Sequence, residues 1–219
     1  MTKMKEKIME IMGESYDDAL FERAVTHSSK GTCNNERFEF LGNAILNMHL
    51  ANIVYALESE LEPKEMTLIC NNARSNENLN EIGLKNGLGD QIITGPSTKG
   101  KVEDDMVSTA FEAIIGMLFQ KGGFDLSSNF IDEFIPINES TLIEYKKKDP
   151  ISRLKEYGEN NNIEIIILED SNEIDGKINH SIRIELFDLK SEGQGNTKVR
   201  ARKSASKGML IKLEESGRI

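Results

Sequence analysis

Glu36, Glu39 and Asn43 fall on one face of the helix expected across NERFEFLGNAIL, residues 35–46. At about 100° per residue these three stack together, while Phe38, Leu41, Ile45 and Met48 share the opposite side. The stretch DDMVSTAFEAIIGMLFQ at 104–120 is built the same way, with Asp105, Thr109, Glu112 and Gly116 on one stripe and Val107, Ala110, Ile114 and Leu118 opposite. If the two helices cross polar face to polar face, Glu36, Glu39 and Glu112 converge, and Gly116 permits a close approach. Converging buried carboxylates repel each other unless a cation joins them, and hard oxygen donors suit Mg²⁺ or Mn²⁺. Such an ion activates water and stabilises charge on a phosphate in flight, with no nucleophilic side chain required. Two unrelated amphipathic helices with wet acidic faces have the same periodicity, so spacing alone leaves both readings open. Asn43 stands where a third acid would serve an ion best.

The elements that must position these residues are mostly helical. Helix-period patterns run over roughly 5–12, 17–25, 35–57, 64–73, 76–84, 104–120 and 126–135. Turn signals separate them at 28–35, 85–90, 94–101 and 121–124. Near TLIEYKKKDP (141–150) lysines run into a proline and the texture changes. A helix is expected at 151–160, with Asp149 as cap and Pro150 in the first turn. Strands follow at 162–170 and 178–188, joined by the turn SNEIDGK, with a short, weak third strand at 190–195 and a helix at about 197–214. The expectation is a mainly α domain at 1–142, a linker at 143–148 and an α+β unit at 149–219.

Composition narrows the class. With 219 residues, 38% hydrophobic and 29% charged, the chain can bury a core in each part and does not read as disordered. No run of about 18 apolar residues offers a membrane span. The N-terminal MTKMKEKIMEIMGES lacks a secretory pattern. Cys33 and Cys70 are far apart with no CxxC, so zinc is not expected and a reducing compartment, cytoplasmic or nuclear, is. Net charge is −10 but unevenly spread: residues 1–148 hold 24 acids against 15 bases, and 149–219 hold 13 against 12. From Gly193 to Leu213 there is no acid, only Lys198, Arg200, Arg202, Lys203, Lys207 and Lys212. A local cluster attracts polyanions whatever the global charge, because exposed charges are screened beyond about 8–10 Å. A solvated helix face has the same look.

The segment THSSKGTCNNERFEFLGNAIL (26–46) resembles the ribonuclease III signature, ALTHxS followed by ERLEFLGDAVL, and KGKVEDDMVSTAFEAIIGMLFQKGGF (99–124) resembles that family's second motif, DxFEALIGA. The C-terminal part resembles a double-stranded-RNA-binding domain: KDPISRLKEY (148–157) matches its opening, and GQGNTKVRARKSASKGMLIKL (193–213) matches GxGxSKKxAKxxAAxxAL without a gap. The implied fold is an all-helical endonuclease domain followed by an α-β-β-β-α domain. The family's metal-binding acids correspond to Glu39, Asn43, Thr109 and Glu112, so both glutamates are kept and both aspartates replaced. Glu36 matches a supporting acid. Glu65 weakly resembles an acid near the catalytic valley, and Phe40 an aromatic that plugs a socket on a second subunit, implying a homodimer. In the second domain the resemblance assigns RNA contacts to Glu156, to Lys155 in place of a Gln, to His180 in the loop between the first two strands, and to Lys198, Arg200 and Arg202. Val199 replaces one of the family's lysines.

Cleavage of double-stranded RNA by metal-activated water, one strand per subunit and leaving staggered ends with 5′-phosphates, is the function the resemblance implies. Asp105, one turn or about 6 Å before Thr109, is positioned to replace a lost carboxylate. The alternative is an inactive dimer that binds double-stranded RNA as a scaffold, for which losing acids is the expected sign. Silencing and ribosomal RNA maturation are both open as destinations.

Overall fold

The computed structural model describes residues 2–57, 61–98, 101–146, 149–174 and 177–219, side chains excepted at 104, 139, 173, 174 and 177. The chain divides into two compact units, Met1–Lys146 and Lys147–Ile219.

The first unit is helical: α1 Lys3–Met12, α2 Asp18–Ala24, α3 Glu36–Ala56, α4 Pro63–Ala73, α5 Asn76–Lys85, α6 Asp104–Phe134 and α7 Glu139–Tyr145. At its centre is α6. Val107, Ala110, Ile114 and Leu118 are buried as their spacing predicts, but so are Phe111, Ala113, Ile115 and Met117, because neighbours cover the helix on nearly every side. The turn expected at 121–124 is a kink inside α6. Gly122 (φ −142°, ψ 17°) and Gly123 (φ 75°, ψ −162°) leave helical geometry, and Gly123 supplies a left-handed φ that a side chain would strain. Ser127 straps the bend, its hydroxyl donating to the Ile115 carbonyl at 3.1 Å. On the other side, Asn80 Oδ1 accepts from the Ser108 amide at 2.8 Å and ties α6 to α5.

Along α6 lies α3, burying Phe38, Gly42, Ile45, Leu46, His49 and Leu50. Met48, expected inward, is instead 54% exposed. The buried face is rotated toward Gly42, Leu46 and His49, because contact with α6 is made through glycine at the crossing. What faces out is an apolar stripe at helical spacing: Phe40 (83% exposed), Ala44, Met48, Ala51 and Tyr55 (79% exposed). Further along, His49 Nε2 lies 2.7 Å from Asp132 Oδ1 beyond the kink.

The second unit is α8 Pro150–Asn161, β1 Ile166–Ile174, β2 Lys177–Leu186, β3 Leu189–Gly195 and α9 Lys198–Glu215, the expected α-β-β-β-α order. Its sheet is antiparallel in the order β1-β2-β3. Ile182, Ile184 and Leu186 pack with Ala201, Ala205, Met209 and Leu213 of α9 and Leu154 of α8. A side chain at Gly193 would meet the backbone of Ala201 and Ala205 at 2.3 and 2.2 Å, so glycine there lets β3 lie directly on α9.

Three expectations change. β1 starts four residues later than expected, because Asn162 ends α8 in the left-handed conformation while Ile163 and Ile165 pack into the core before pairing begins. β3 pairs with β2 over seven residues, from Leu189↔Leu186 to Gly195↔His180, so it is not stunted. At the end of the first unit, α7 runs through Tyr145 and so takes in residues 143–145 of the stretch expected as linker, its start held by an Asn138–Thr141 capping box; residues 147 and 148 lie outside the described residues. Both cysteines are free. Among the described residues, no helix is long and apolar enough to cross a membrane.

Candidate active site

Two glycines set the site. A methyl on Gly42 would fall 1.8 Å from the Glu112 carbonyl oxygen, and one on Gly116 would fall 2.0 Å from the Phe38 carbonyl oxygen. Only hydrogen fits at either position, so α3 and α6 meet backbone to backbone, and the side chains flanking the crossing are brought together. On α3 these are Glu39 and Asn43, and on α6 Glu112; Thr109 lies one turn before Glu112 on the same helix.

Glu112 is buried, 7% exposed. Its Oε1 accepts from Asn43 Nδ2 at 2.7 Å, and Asn43 Oδ1 in turn accepts from Asn47 Nδ2 at 2.8 Å. Burial pushes the Glu112 carboxyl pKa up. The Asn43 hydrogen bond opposes that rise, the charge on Glu39 adds to it, and the Arg74 guanidinium offsets part of it. Glu39, half-buried, is also raised, first by burial and then by Glu36. Two carboxyls disposed against ionisation by burial and by acidic neighbours form a setting that a cation would relieve.

Other expected site residues lie differently. Glu36 is exposed at the first turn of α3, where Asn34 Nδ2 donates to its Oε2 at 3.1 Å. It and Phe40 line an open cavity of about 410 Å³ with Arg23, Arg37, Leu41 and Gln120. The predicted convergence of three acids thus reduces to two at the crossing, because Glu36 precedes the glycine contact by nearly two turns. Asp105 is exposed, and the charges that shift Glu39 and Glu112 come from Glu36, Glu39 and Arg74. Glu65 caps α4: its Oε2 accepts from the Glu62 amide at 3.0 Å, and Lys146 Nζ lies 3.5 Å from its Oε1. Among the described residues, no group of three His, Cys, Asp or Glu side chains is disposed to hold a metal ion. The acids left at the crossing are two, Glu39 and Glu112, and hard oxygen donors of that kind suit a divalent ion such as Mg²⁺ or Mn²⁺. Arg74, at the C-terminal end of α4, was not anticipated; no periodicity marks it, since the turn after α4 carries it to the site.

In the second unit Lys155 pairs with Glu159 at 3.6 Å, and Glu156 is exposed beside it on α8. His180 is a strand residue and not a loop residue: it pairs with Ser171 and Gly195, because the hairpin ladder runs on to Ile174↔Lys177. Of the expected turn SNEIDGK, residues 171–174 and 177 belong to the strands, and residues 175 and 176 lie outside the described residues. At the start of α9, Thr197 Oγ1 accepts from the Arg200 amide at 3.2 Å, and the first turn carries no acid. A helix N-terminus with basic side chains favours anions. Lys198 Nζ is already 3.2 Å from Glu169 Oε2 on β1, while Arg200 and Arg202 are half-buried along the helix. Val199 is 68% exposed among them.

Comparison with known proteins agrees with this frame. The Ribonuclease-III-like family matches residues 17–137. The chain is 30% identical to Ribonuclease 3 of Wigglesworthia glossinidia brevipalpis, over 94% of this chain and 95% of that one. It is 33% identical to Ribonuclease 3 of Nitrosococcus oceani over 72% and 70% of the respective chains. The nuclease domain of ribonuclease III from Campylobacter jejuni, described as flexible in a region involved in dimer formation, superposes with a TM-score of 0.53 at 27% identity. That match covers 60% of this chain and 99% of that domain. Helical frame, glycine crossing and paired glutamates thus sit in a chain that belongs to the ribonuclease III family.

Proposed function

We propose that the protein is a homodimeric endoribonuclease that cleaves double-stranded RNA with one divalent ion, Mg²⁺ or Mn²⁺, held by Glu39 and Glu112. The observation that carries this reading is the crossing at Gly42 and Gly116, which fixes two mutually repelling carboxylates on rigid helices. A bound ion supplies an activated water and charge neutralisation at the phosphate. The chain's own residues do the rest. Glu112 is aligned by the Asn43 amide, Glu39 faces it from α3, Thr109 offers a hydroxyl one turn away, and Arg74 lends positive potential. The apolar stripe from Phe40 to Tyr55 is the surface for a second copy, so that each subunit cuts one strand and leaves staggered ends with 5′-phosphates. Lys155, Glu156, His180, Lys198, Arg200 and Arg202 form the RNA-facing set, reading A-form shape and phosphates more than base sequence.

A specific observation favours a second reading, the binding scaffold: the Asn43 amide satisfies one Glu112 oxygen without an ion. One assay separates the two. Purified protein is incubated with long double-stranded RNA and Mg²⁺ or Mn²⁺; cleavage is expected, and Glu112→Ala should abolish it. Intact RNA under both ions, with binding retained, would establish the scaffold instead.

A further inference from the structure

Asn47, Asn43 and Glu112 form a directed ladder across the two helices. Asn47 Nδ2 donates to Asn43 Oδ1 at 2.8 Å, and Asn43 Nδ2 donates to Glu112 Oε1 at 2.7 Å. The direction is dictated by chemistry: turning the Asn43 carboxamide over would set its oxygen against a carboxylate oxygen and its NH₂ against the NH₂ of Asn47. Asn43 and Asn47 lie one turn apart on α3, where side chains meet. With its oxygen taken by Asn47, Asn43 presents only N–H to the carboxylates. An N–H cannot ligate a cation; it occupies with a hydrogen bond the side of Glu112 that a ligand oxygen would otherwise share with an ion.

We infer that Asn47 is the positioning residue that locks Asn43 as a donor to Glu112, and so sets how readily a divalent ion is accepted between Glu39 and Glu112. This inference rests on the ion site proposed above. Asn43 is exposed, and once Asn47 is removed only the bond to Glu112 holds its amide, which an ion that takes up the Glu112 charge would leave able to turn about its terminal torsion. Turned, it offers a neutral oxygen to an ion, and Glu112 Oε1 is released.

The test is side-chain amide NMR together with calorimetry of Mg²⁺ and Mn²⁺ binding, on the full chain and its Asn47→Leu variant, which removes the donor without adding charge. The parent should show the two Asn43 amide protons well separated in shift, one of them held by Glu112. In Asn47→Leu the pair should move toward free-amide values and Mg²⁺ should shift it further. Ion affinity should rise about fivefold, the scale of one hydrogen bond. Asn47→Ser, too short to reach Asn43 Oδ1, serves if the leucine variant does not fold. Unchanged Asn43 resonances and unchanged affinity overturn the inference while leaving cleavage untouched. Altered resonances with tighter ion binding support it even if neither protein cuts RNA, an outcome that would remove the cleavage reading alone.

Discussion

Gly42 and Gly116 each lie against a carbonyl of the other helix, Glu112 for the first and Phe38 for the second, at separations that admit a hydrogen and nothing larger. Gly42→Ala and Gly116→Ala should therefore each destabilise the fold by about 3 kcal/mol, the upper range for overpacking, since the obstructing atoms are backbone. Denaturant titration checks this, and a loss below about 1 kcal/mol would mean that the helices separate cheaply.

Acid should act on Glu112 in a particular direction. Its folded-state pKa is raised by burial and by Glu39, so the folded protein holds a proton more readily than the unfolded chain. Stability linked to this group is full below the ordinary carboxylate pKa and is lost as pH rises through the raised folded value. Glu112→Gln, which keeps an oxygen for the Asn43 amide, should melt above the parent at neutral pH. Scanning calorimetry across pH should show that gap closing in acid; a constant gap would contradict the assigned shift.

The proposed RNA face carries its own competitor, since Lys198 is paired with Glu169. Glu169→Gln should raise affinity for a double-stranded RNA about twofold, the scale of an exposed ion pair. Lys198→Ala with Arg202→Ala should weaken binding most at low salt and flatten the log–log salt slope by up to about two. Fluorescence anisotropy at several salt concentrations reads both, and unchanged slopes would move the RNA surface elsewhere.

Self-association is tested through Phe40. Because its side chain is almost wholly exposed, Phe40→Asp leaves the buried core of the first unit intact. Sedimentation velocity should show a dimer for the parent and a monomer for the variant. A variant that remains dimeric would take the stripe out of the interface.

Much of the frame was legible in residue spacing. The polar stripe of α6 and its partner on α3 follow helical period, and Gly116 in that stripe announced a close crossing. Val107, Ala110, Ile114 and Leu118 are buried as spaced. Legibility failed where local pattern was overruled by tertiary contact. Met48 points outward because the α3 contact face turns toward Gly42. The seven-residue α7 is too short for periodicity and is held by its cap. His180 lies in a strand, as the pattern at 178–188 predicted, and not in the loop that the family resemblance implied. Glu65 and Asp105 look like ligands by type, but one is taken by a helix cap and the other remains in solvent. Spacing identifies a face; it does not say which acids on that face have room to meet.

Glu39 and Phe40 are adjacent on α3, one half-buried at the helix crossing and the other thrust into solvent. Neighbours on a helix share a backbone turn, so in the proposed dimer a second copy that clamps Phe40 would also stiffen the backbone that carries Glu39. Dilution then becomes a chemical variable: below the concentration at which copies pair, turnover per chain should fall, and the apparent reaction order in protein should rise above one.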